Sequence, residues 1–387
     1  MSDTPVAGAS PLPPPASASA SAAAASSPVA RSLRGYSRWR WWELVLFAAL
    51  PLSWLLLPGQ ALLLNEIAIV ALFAISLDLI LGYAGIVSLG HAAFFGFGAY
   101  TAALFAKNVM PDPIVGLAVA IAASAALGLA TSVLILRGSD LTRLMVTLGV
   151  ASILYELANK LDWLTGGADG LQGVVMGPLT VPFTTLKGFD FDLSGRTAYA
   201  YTLVVLAIVL FVSRRLVHSP FGTSLQALRD NRLRAASIGL SVPLRLVAVY
   251  TYAGAIAGAA GALLAQTTGF ASLDVFDFHR SAEVLLVLVV GGTGYLYGGI
   301  FGAIVFKLLH DLIAAWTPQY WNFWLGLFLV VLVLVGRERF VRPWTWFRVQ
   351  RKQWARSSRR ARSSSASAAW RRPTTSRSRS SEARAMR

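Results

Sequence analysis

Long apolar stretches follow one another through most of this chain, and short groups of charged, glycine and proline residues separate them. The stretches lie between about residues 43 and 335. Several reach the roughly 20 residues that a helix needs to cross the hydrocarbon core of a bilayer. The pattern therefore predicts an all-α protein, a polytopic transmembrane helical bundle.

Charged residues divide the apolar region into about ten predicted spans. Basic residues such as Arg143 and Arg214 fall in alternate connections, as cytoplasmic segments require. Ten spans then place both termini in the cytoplasm. If residues 291–299 only dip into the membrane, the count is eight with the same parity. The predicted spans cover residues 43–57, 62–81, 86–106, 114–136, 144–164, 198–216, 246–266, two short spans between 283 and 316, and 321–335.

Composition supports the membrane class and separates the two ends from the middle. Hydrophobic residues make up 56% of the chain and charged residues 13%, far from a soluble domain. Residues 1–40 form a low-complexity tail that ends in an Arg–Trp interface anchor, residues 41–340 a transmembrane domain, and residues 341–387 an Arg/Ser-rich tail predicted to be disordered. The net charge of +16 sits at the ends and in loops, so lipid rather than nucleic acid is the expected partner.

A glycine-rich segment at residues 82–100 interrupts the apolar pattern most strongly. Frequent glycine allows close helix packing or a helix break beside a cavity, so we expect a packed, partly polar seam. Asp78 and His91 have two interpretations, a place on a translocation path or a paired packing role. The candidate residues are Asp78, Gly82, Tyr83, Gly85, Ser88, Gly90, His91, Gly96 and Tyr100.

A second glycine-rich segment follows the fifth predicted span, on the expected outer side. It is interpreted as an outer gate or docking surface, or alternatively as a simple turn, since turns favour the same residue types. Its candidate residues are Thr165, Gly166, Gly167, Asp169 and Gly170.

The predicted cytoplasmic segment at residues 219–240 is the most informative polar part of the chain. Ser219 is a plausible helix cap with Pro220 at the first helical position. A short helix of this kind suits docking of a partner, although a solvated basic loop is the simpler alternative. The candidate residues are Pro220, Gly222, Leu225, Leu228, Arg229, Asp230, Asn231, Ala235 and Gly239.

A third glycine-rich group lies in the last third of the chain and is predicted to form a tight inner turn. Its residues are Gly291, Gly292, Gly294, Gly298 and Gly299. The group lacks the lysine of a phosphate-binding loop, and the chain shows no nucleophile with a matching base. We therefore predict no catalytic residue, no metal and no cofactor, and the chain has no cysteine. Energy for uphill transport would come from a gradient or from another subunit.

These segments together resemble the inner-membrane permease subunits of ABC-type branched-chain amino acid importers, across residues 62–335. The resemblance implies an importer in the plasma (inner) membrane with a second permease, two ABC ATPase subunits and a periplasmic or lipid-anchored substrate-binding protein. It implies alternating access, with residues 219–240 as the ATPase coupling segment. Arg232 and Ala236 stand where the family often has glutamate, which indicates a contact adapted to its own ATPase.

Two alternatives to a branched-chain amino acid importer follow from the same residues. The family also imports urea, short amides and aromatic acids, so the substrate stays open at this point. A stand-alone gradient-driven transporter is a more distant alternative, for which Asp78 is the available carboxylate in a span. A membrane enzyme is not supported, because no catalytic constellation is present.

Overall fold

The computed structural model describes residues 41–56, 58–135, 138, 140–177 and 195–316, together with isolated positions between 320 and 330. Every contact discussed below lies within the compact unit Met1–Leu312, and Ile313–Arg387 form a second unit. The helices are α1 (Trp41–Leu56), α2 (Ala61–Asp78), α3 (Ala92–Asn108), α4 (Pro113–Ile135), α5 (Asp140–Lys160), α6 (Asp162–Thr165), α7 (Arg196–Val217), α8 (Pro220–Asp230), α9 (Arg232–Ser237), α10 (Val242–Thr268), α11 (Phe278–Gly291) and α12 (Gly298–Trp316).

The all-α prediction is confirmed, and the described residues contain six helices long and apolar enough to cross a membrane. These are α2 with its extension to Tyr83, α4, α5, α7, α10 and α12. Helices α1, α3 and α11 overlap predicted spans, but with 16, 17 and 14 residues they are shorter than any of these six helices. The 14 residues of α11 extend about 21 Å, whereas the hydrocarbon core is about 30 Å thick. The tenth predicted span is described only at isolated positions, and both tails lie outside the described residues.

Helix α10 is the centre of the packing, with its most extensive contacts to α4, α3 and α2. Apart from Ile256, residues 253–262 in its middle are alanine and glycine, which allows neighbouring backbones to approach closely. Gly258 meets Gly98 of α3, where an added Cβ on either glycine would overlap its neighbours. Gly261 likewise lies against the Phe95 carbonyl of α3. Small residues therefore form the contacts at which these helices approach most closely.

The third predicted span was placed too early, because its helix begins at Ala92 rather than at residue 86. Helix α2 passes into a π-helical turn at Leu79–Tyr83 and then ends. Gly85 adopts φ +68°, a left-handed conformation that only glycine takes at low cost. The chain stays irregular to His91, the N-cap of α3. The first residues of the expected span thus form a buried break between two helices.

Two polar features near the predicted inner ends also differ from expectation. Arg143 was placed in a cytoplasmic connection, but it lies within α5, is buried and donates from Nε to the Ile135 carbonyl at 3.1 Å. The free carbonyls at the end of α4 need such a donor. The expected single coupling helix is two helices, because Asn231 is extended and its side chain accepts from Arg234 N at 2.9 Å to cap α9.

Candidate functional site

Three segments that the sequence singled out separately meet at one point in the structure. The Asp78 Oδ1 atom accepts a hydrogen bond from the Gly294 amide at 2.7 Å. The Arg229 guanidinium, at the end of α8, donates from Nη1 to the Gly82 carbonyl. We call Asp78, Gly82, Arg229 and Gly294 the glycine junction. It joins the break after α2, the segment of α8 and α9, and the turn between α11 and α12.

Local backbone geometry explains why the junction forms here. Where a helix ends, its last carbonyls have no partner in the next turn, so the Gly82 carbonyl is available to a donor from elsewhere. An added Cβ on Gly82 would overlap the Asp78 carboxylate and the Gly294 backbone. Gly294 itself has φ +79°. Glycine at both positions therefore brings the two backbones into contact.

Arg229 lies across the glycine break, so that its aliphatic part also contributes to the junction. A Cβ on Gly85 would lie 2.6 Å from the Arg229 Cγ atom, so glycine is needed at this position as well. The Arg229 side chain stays partly exposed and its Nε atom lies 3.7 Å from Asp230 Oδ1. One side chain thus connects a helix outside the apolar bundle with a carbonyl inside it.

A buried ion pair lies at the same end of the bundle. Arg214 of α7 contacts the Glu43 Oε2 atom of α1 through Nη2 at 2.7 Å and through Nε at 2.9 Å, and both side chains are less than a tenth exposed. Tyr297, in the turn after α11, lies close enough to interact with both Glu43 and Arg214. The turn is therefore held on one side by Asp78 and bordered on the other by Glu43 and Arg214.

The other seam residues are packed inside this chain. Eight of the nine candidates are buried and Gly85 is half-buried. His91 pairs through Nε2 with the Ser76 hydroxyl at 2.8 Å and stacks on Phe73. Tyr100 stacks on Phe276, and the same ring fills the space beside Gly96. Ser88, Tyr83 and Gly90 are enclosed, and Gly90 abuts the Thr147 carbonyl.

The outer glycine segment forms a compact turn attached to the loop after α10. Thr165 Oγ1 donates to the Ala158 carbonyl at 2.5 Å. Gly166, Gly167 and Gly170 have positive φ angles. Leu171 and Ala271 exchange two backbone hydrogen bonds, of 2.8 and 3.1 Å. Asp169 alone among the polar candidates here points into solvent.

The predicted coupling segment begins as expected but presents a different surface. The Ser219 hydroxyl accepts from the Phe221 amide at 3.2 Å, with Pro220 at the start of the helix. Leu225 and Leu228 are fully buried against this chain itself, and Gly222 and Ala235 are buried too. The exposed apolar side chains are instead Leu233 (85%) and Ile238 (70%). Asp230, Asn231 and Gly239 are exposed beside them.

Sequence reasoning missed the pairs that form between distant helices. Glu43 and Arg214 are 171 positions apart. Lys307 of α12 pairs with Glu66 of α2 at 3.1 Å. A charged residue inside an apolar run is a visible signal of a buried pair, but the identity of its partner is not. Among the described residues, no group of three His, Cys, Asp or Glu side chains could hold a metal ion.

The helices, the glycine contacts and the junction define a class of protein, a multi-span helical membrane protein with a polar helical segment attached to its apolar bundle. The family described as "Branched-chain amino acid transport system / permease component" matches residues 61–336, and the chain belongs to this family. It is accordingly an inner-membrane protein, with transport as its role.

Individual relatives support the same assignment. The chain is 32% identical over 294 residues to the high-affinity branched-chain amino acid transport system permease protein LivM of Escherichia coli K12, covering 71% of this chain and 68% of the relative. It is 31% identical to the Salmonella typhimurium LivM, with the same coverage. The Haemophilus influenzae galactose/methyl galactoside import permease MglC is 27% identical, over 60% of this chain and 69% of the relative. No solved structure matches the chain significantly.

Proposed function

We propose that this chain is the permease subunit of an ATP-driven importer of branched-chain and other hydrophobic amino acids. The proposed substrate is supported by the two LivM relatives, whose similarity covers 71% of the chain at 31–32% identity. The similarity to a galactoside permease is lower in identity and covers less of this chain. The observation that carries the coupled mechanism is the glycine junction, because it connects the segment outside the bundle to a helix break within it.

The proposed partners are a second homologous permease, two ABC ATPase subunits and a periplasmic or lipid-anchored substrate-binding protein. ATP hydrolysis would reside in the ATPase subunits, so the chain itself is no enzyme. Both termini and the segment of α8 and α9 would lie in the cytoplasm, in a bundle of about ten spans. The basic residues of that segment, Arg229, Arg232 and Arg234, agree with a cytoplasmic location.

In this mechanism, the ATPase grips the exposed face of α8 and α9. Leu233 and Ile238 are apolar side chains that α9 and its C-terminal turn leave open to solvent. Burial of such side chains in a groove is the usual basis of helix docking. When the ATPase moves α8 and α9, the Arg229 contact moves the backbone at Gly82. The contact of Asp78 with Gly294 then moves the turn before α12. ATP binding and substrate delivery shift the population between outward-open and inward-open states.

The importer is tested by gentle solubilisation of the tagged chain, identification of the proteins that co-purify, and reconstitution into proteoliposomes. We expect a second permease, ATPase subunits and ATP-dependent leucine uptake in the presence of the binding protein. Urea, acetamide and galactose serve as competing solutes. Transport by the chain alone without ATP would contradict the proposal.

The docking face is tested by Leu233→Asp. Removal of an exposed apolar contact should reduce co-purification of the ATPase and leucine uptake by about tenfold, since an anchor residue contributes on the order of 1–2 kcal/mol. Thermal stability of the isolated permease should not change, because Leu233 makes little contact within the chain. Ser237→Asp adds the same charge at an exposed neighbouring position and is the matched control. Equal ATPase recovery from both variants would refute this docking face.

A further inference from the structure

One face of α5 exposes a serine and a glutamate, whereas the exposed residues of α4 and of the middle of α7 are apolar. Met145, Gly149, Ser152 and Glu156 are exposed. Their spacing of three and four residues places them on the same side of the helix. The space beside Gly149 is open, with no atom within 4 Å of an added Cβ. We call these four residues the α5 face.

Two other helices provide the comparison. In the middle of α7, the exposed residues are Val204, Ile208, Phe211 and Val212. Every exposed position of α4 from residue 115 to 134 is alanine, valine or leucine. Those surfaces suit lipid chains, which offer no hydrogen-bond partners. Ser152 donates to the Leu148 carbonyl at 3.1 Å, and Glu156 lies 3.8 Å from Lys160. Both groups stay exposed, which favours a neighbour other than lipid, because polar groups in spans usually face a bundle interior or water.

A cavity of about 430 Å³ opens beside the α5 face. Its lining combines apolar and polar side chains, among them Leu148, Ser152, Tyr155, Glu156, Phe276 and Asp277. The cavity of about 480 Å³ between α1, α2, α7 and α12 differs in character. Its lining is apolar apart from Ser53 and Tyr199, whose hydroxyls bond to each other at 2.6 Å. Of these two cavities, the one at α5 has the mixed chemistry that an amphipathic solute needs.

The seam residues support the back of this cavity. The Phe276 ring lies between the cavity and α3, where Tyr100 stacks on it with the ring centroids 5.4 Å apart. Gly96 leaves the space that the ring occupies, since an added Cβ would overlap it. The ring position is therefore set by two residues of the glycine-rich seam. Buried seam residues thus help to fix one wall of this cavity without lining it.

We propose that the α5 face and its cavity form one wall of the water-filled path through which the substrate moves. The solute class is a small zwitterion with an apolar side chain, which rests on the proposed function. Leu148 and Phe276 suit its apolar part, and the hydroxyl and carboxylate groups of Ser152 and Glu156 keep the wall hydrated. The opposite wall is supplied by the second permease, which covers α5 without filling the cavity.

The test uses the absence of cysteine from the natural chain. Single variants Ser152→Cys and Gly149→Cys are made, with Val204→Cys as a matched control on an exposed position near the middle of α7. Each is assembled with its partner subunits in proteoliposomes and treated with a charged, membrane-impermeant methanethiosulfonate reagent. Thiolates form in water but not in lipid, so we expect modification at 152 and 149 at least about tenfold faster than at 204.

A second measurement links accessibility to the path. Leucine with the binding protein and ATP should slow modification at 152 severalfold, and modification should block leucine uptake. Modification at 152 as slow as at 204 would overturn the proposal, because the α5 face would then contact lipid or a tightly packed subunit. Fast modification that neither responds to leucine nor affects uptake would also overturn it. Labelling rates need no transport, so absence of leucine uptake in the assembly that contains the natural chain would refute the proposed function separately.

Discussion

Single residues in this protein matter most where a polar group or a glycine has no substitute. The buried pair of Glu43 and Arg214 connects the start of α1 to the end of α7. Removal of one partner leaves a buried charge without compensation, which costs far more than the net contribution of the intact pair. At glycine contacts the constraint is steric, because two backbones occupy the space in which a side chain would begin.

Replacement of Glu43 by alanine should reduce the free energy of unfolding by about 3–5 kcal/mol, since Arg214 stays buried without its carboxylate. The double variant Glu43→Ala/Arg214→Ala should lose less than the sum of the single changes. Tryptophan fluorescence during thermal unfolding in detergent provides the measurement. Lys160→Ala removes one member of the exposed pair Lys160–Glu156 and should cost less than about 1 kcal/mol. Strict additivity would contradict the pair's importance.

Gly90→Leu should prevent close packing of the break before α3 against α5, because even a Cβ would overlap the Thr147 carbonyl. We expect a loss of at least about 1–3 kcal/mol from overpacking, with reduced monodisperse protein and little uptake. Size-exclusion chromatography of detergent extracts measures the packing defect. Gly59→Leu is the control, because no atom lies within 4 Å of a Cβ at that glycine. Wild-type behaviour of Gly90→Leu would show that this contact is incidental.

At the scale of elements, the break after α2 and the two short helices α8 and α9 act together. Helix α8 is fastened to the bundle by Leu225 and Leu228, and Arg245 of α10 donates a hydrogen bond to the Ser224 hydroxyl. Helix α9 is attached mainly through the buried Ala235 and leaves most of its surface exposed. Helix α8 is therefore held firmly against the bundle, whereas α9 presents the exposed surface that a partner can bind.

Arg229→Met should separate ATP hydrolysis from transport, because the methionine fills part of the same space but cannot donate to the Gly82 carbonyl. Leucine uptake per ATP hydrolysed should fall about tenfold, as expected for loss of a hydrogen bond from a charged donor. ATPase co-purification should persist, since the docking face of α9 is intact. Arg215→Met removes the same charge from an exposed position at the end of α7 and should leave the ratio unchanged. An unaltered ratio in Arg229→Met would refute this transmission route.

At the scale of the whole molecule, the predicted spans alternate in direction, and several helix ends that this topology places on the cytoplasmic side are in contact. The start of α1 pairs with the end of α7. The end of α2 meets the turn between α11 and α12, and α8 contacts both. Basic residues such as Arg214 and Arg234 concentrate at this end, whereas acidic residues such as Asp169 and Asp274 belong to the opposite connections. The contacts thus agree with the alternation that charge alone predicted.

Single cysteines at Tyr295 and Leu233 should react with an impermeant thiol reagent from the same side of the membrane, because the glycine junction joins their segments. Both side chains are well exposed, and Trp163 provides an exposed position in the predicted outer region. Labelling in right-side-out and inverted vesicles should distinguish 163 from the other two. Labelling of Tyr295→Cys and Leu233→Cys from opposite sides would contradict both the junction and the inner turn.

Local sequence patterns were sufficient to predict the membrane class and most of the helices of this protein. Hydrophobic length predicted the membrane class and most helix positions, and Ser219 with Pro220 marked the start of α8 correctly. The break at residues 84–91 was harder to place, because the glycines there allow either a packed helix or a turn. The separation into α8 and α9 depended on the conformation of Asn231, which its residue type permits but does not require.

The sequence by itself determined that the chain is a helical membrane protein and a member of a permease family, because span length and ordered motifs are local properties. Only the tertiary structure decided which distant residues meet. It placed Asp78 beside Gly294 and Arg229 beside Gly82, turned Leu225 and Leu228 inward, and left the polar face of α5 exposed. These outcomes depend on how whole helices pack, and packing is set jointly by small residues on several helices rather than by any one segment.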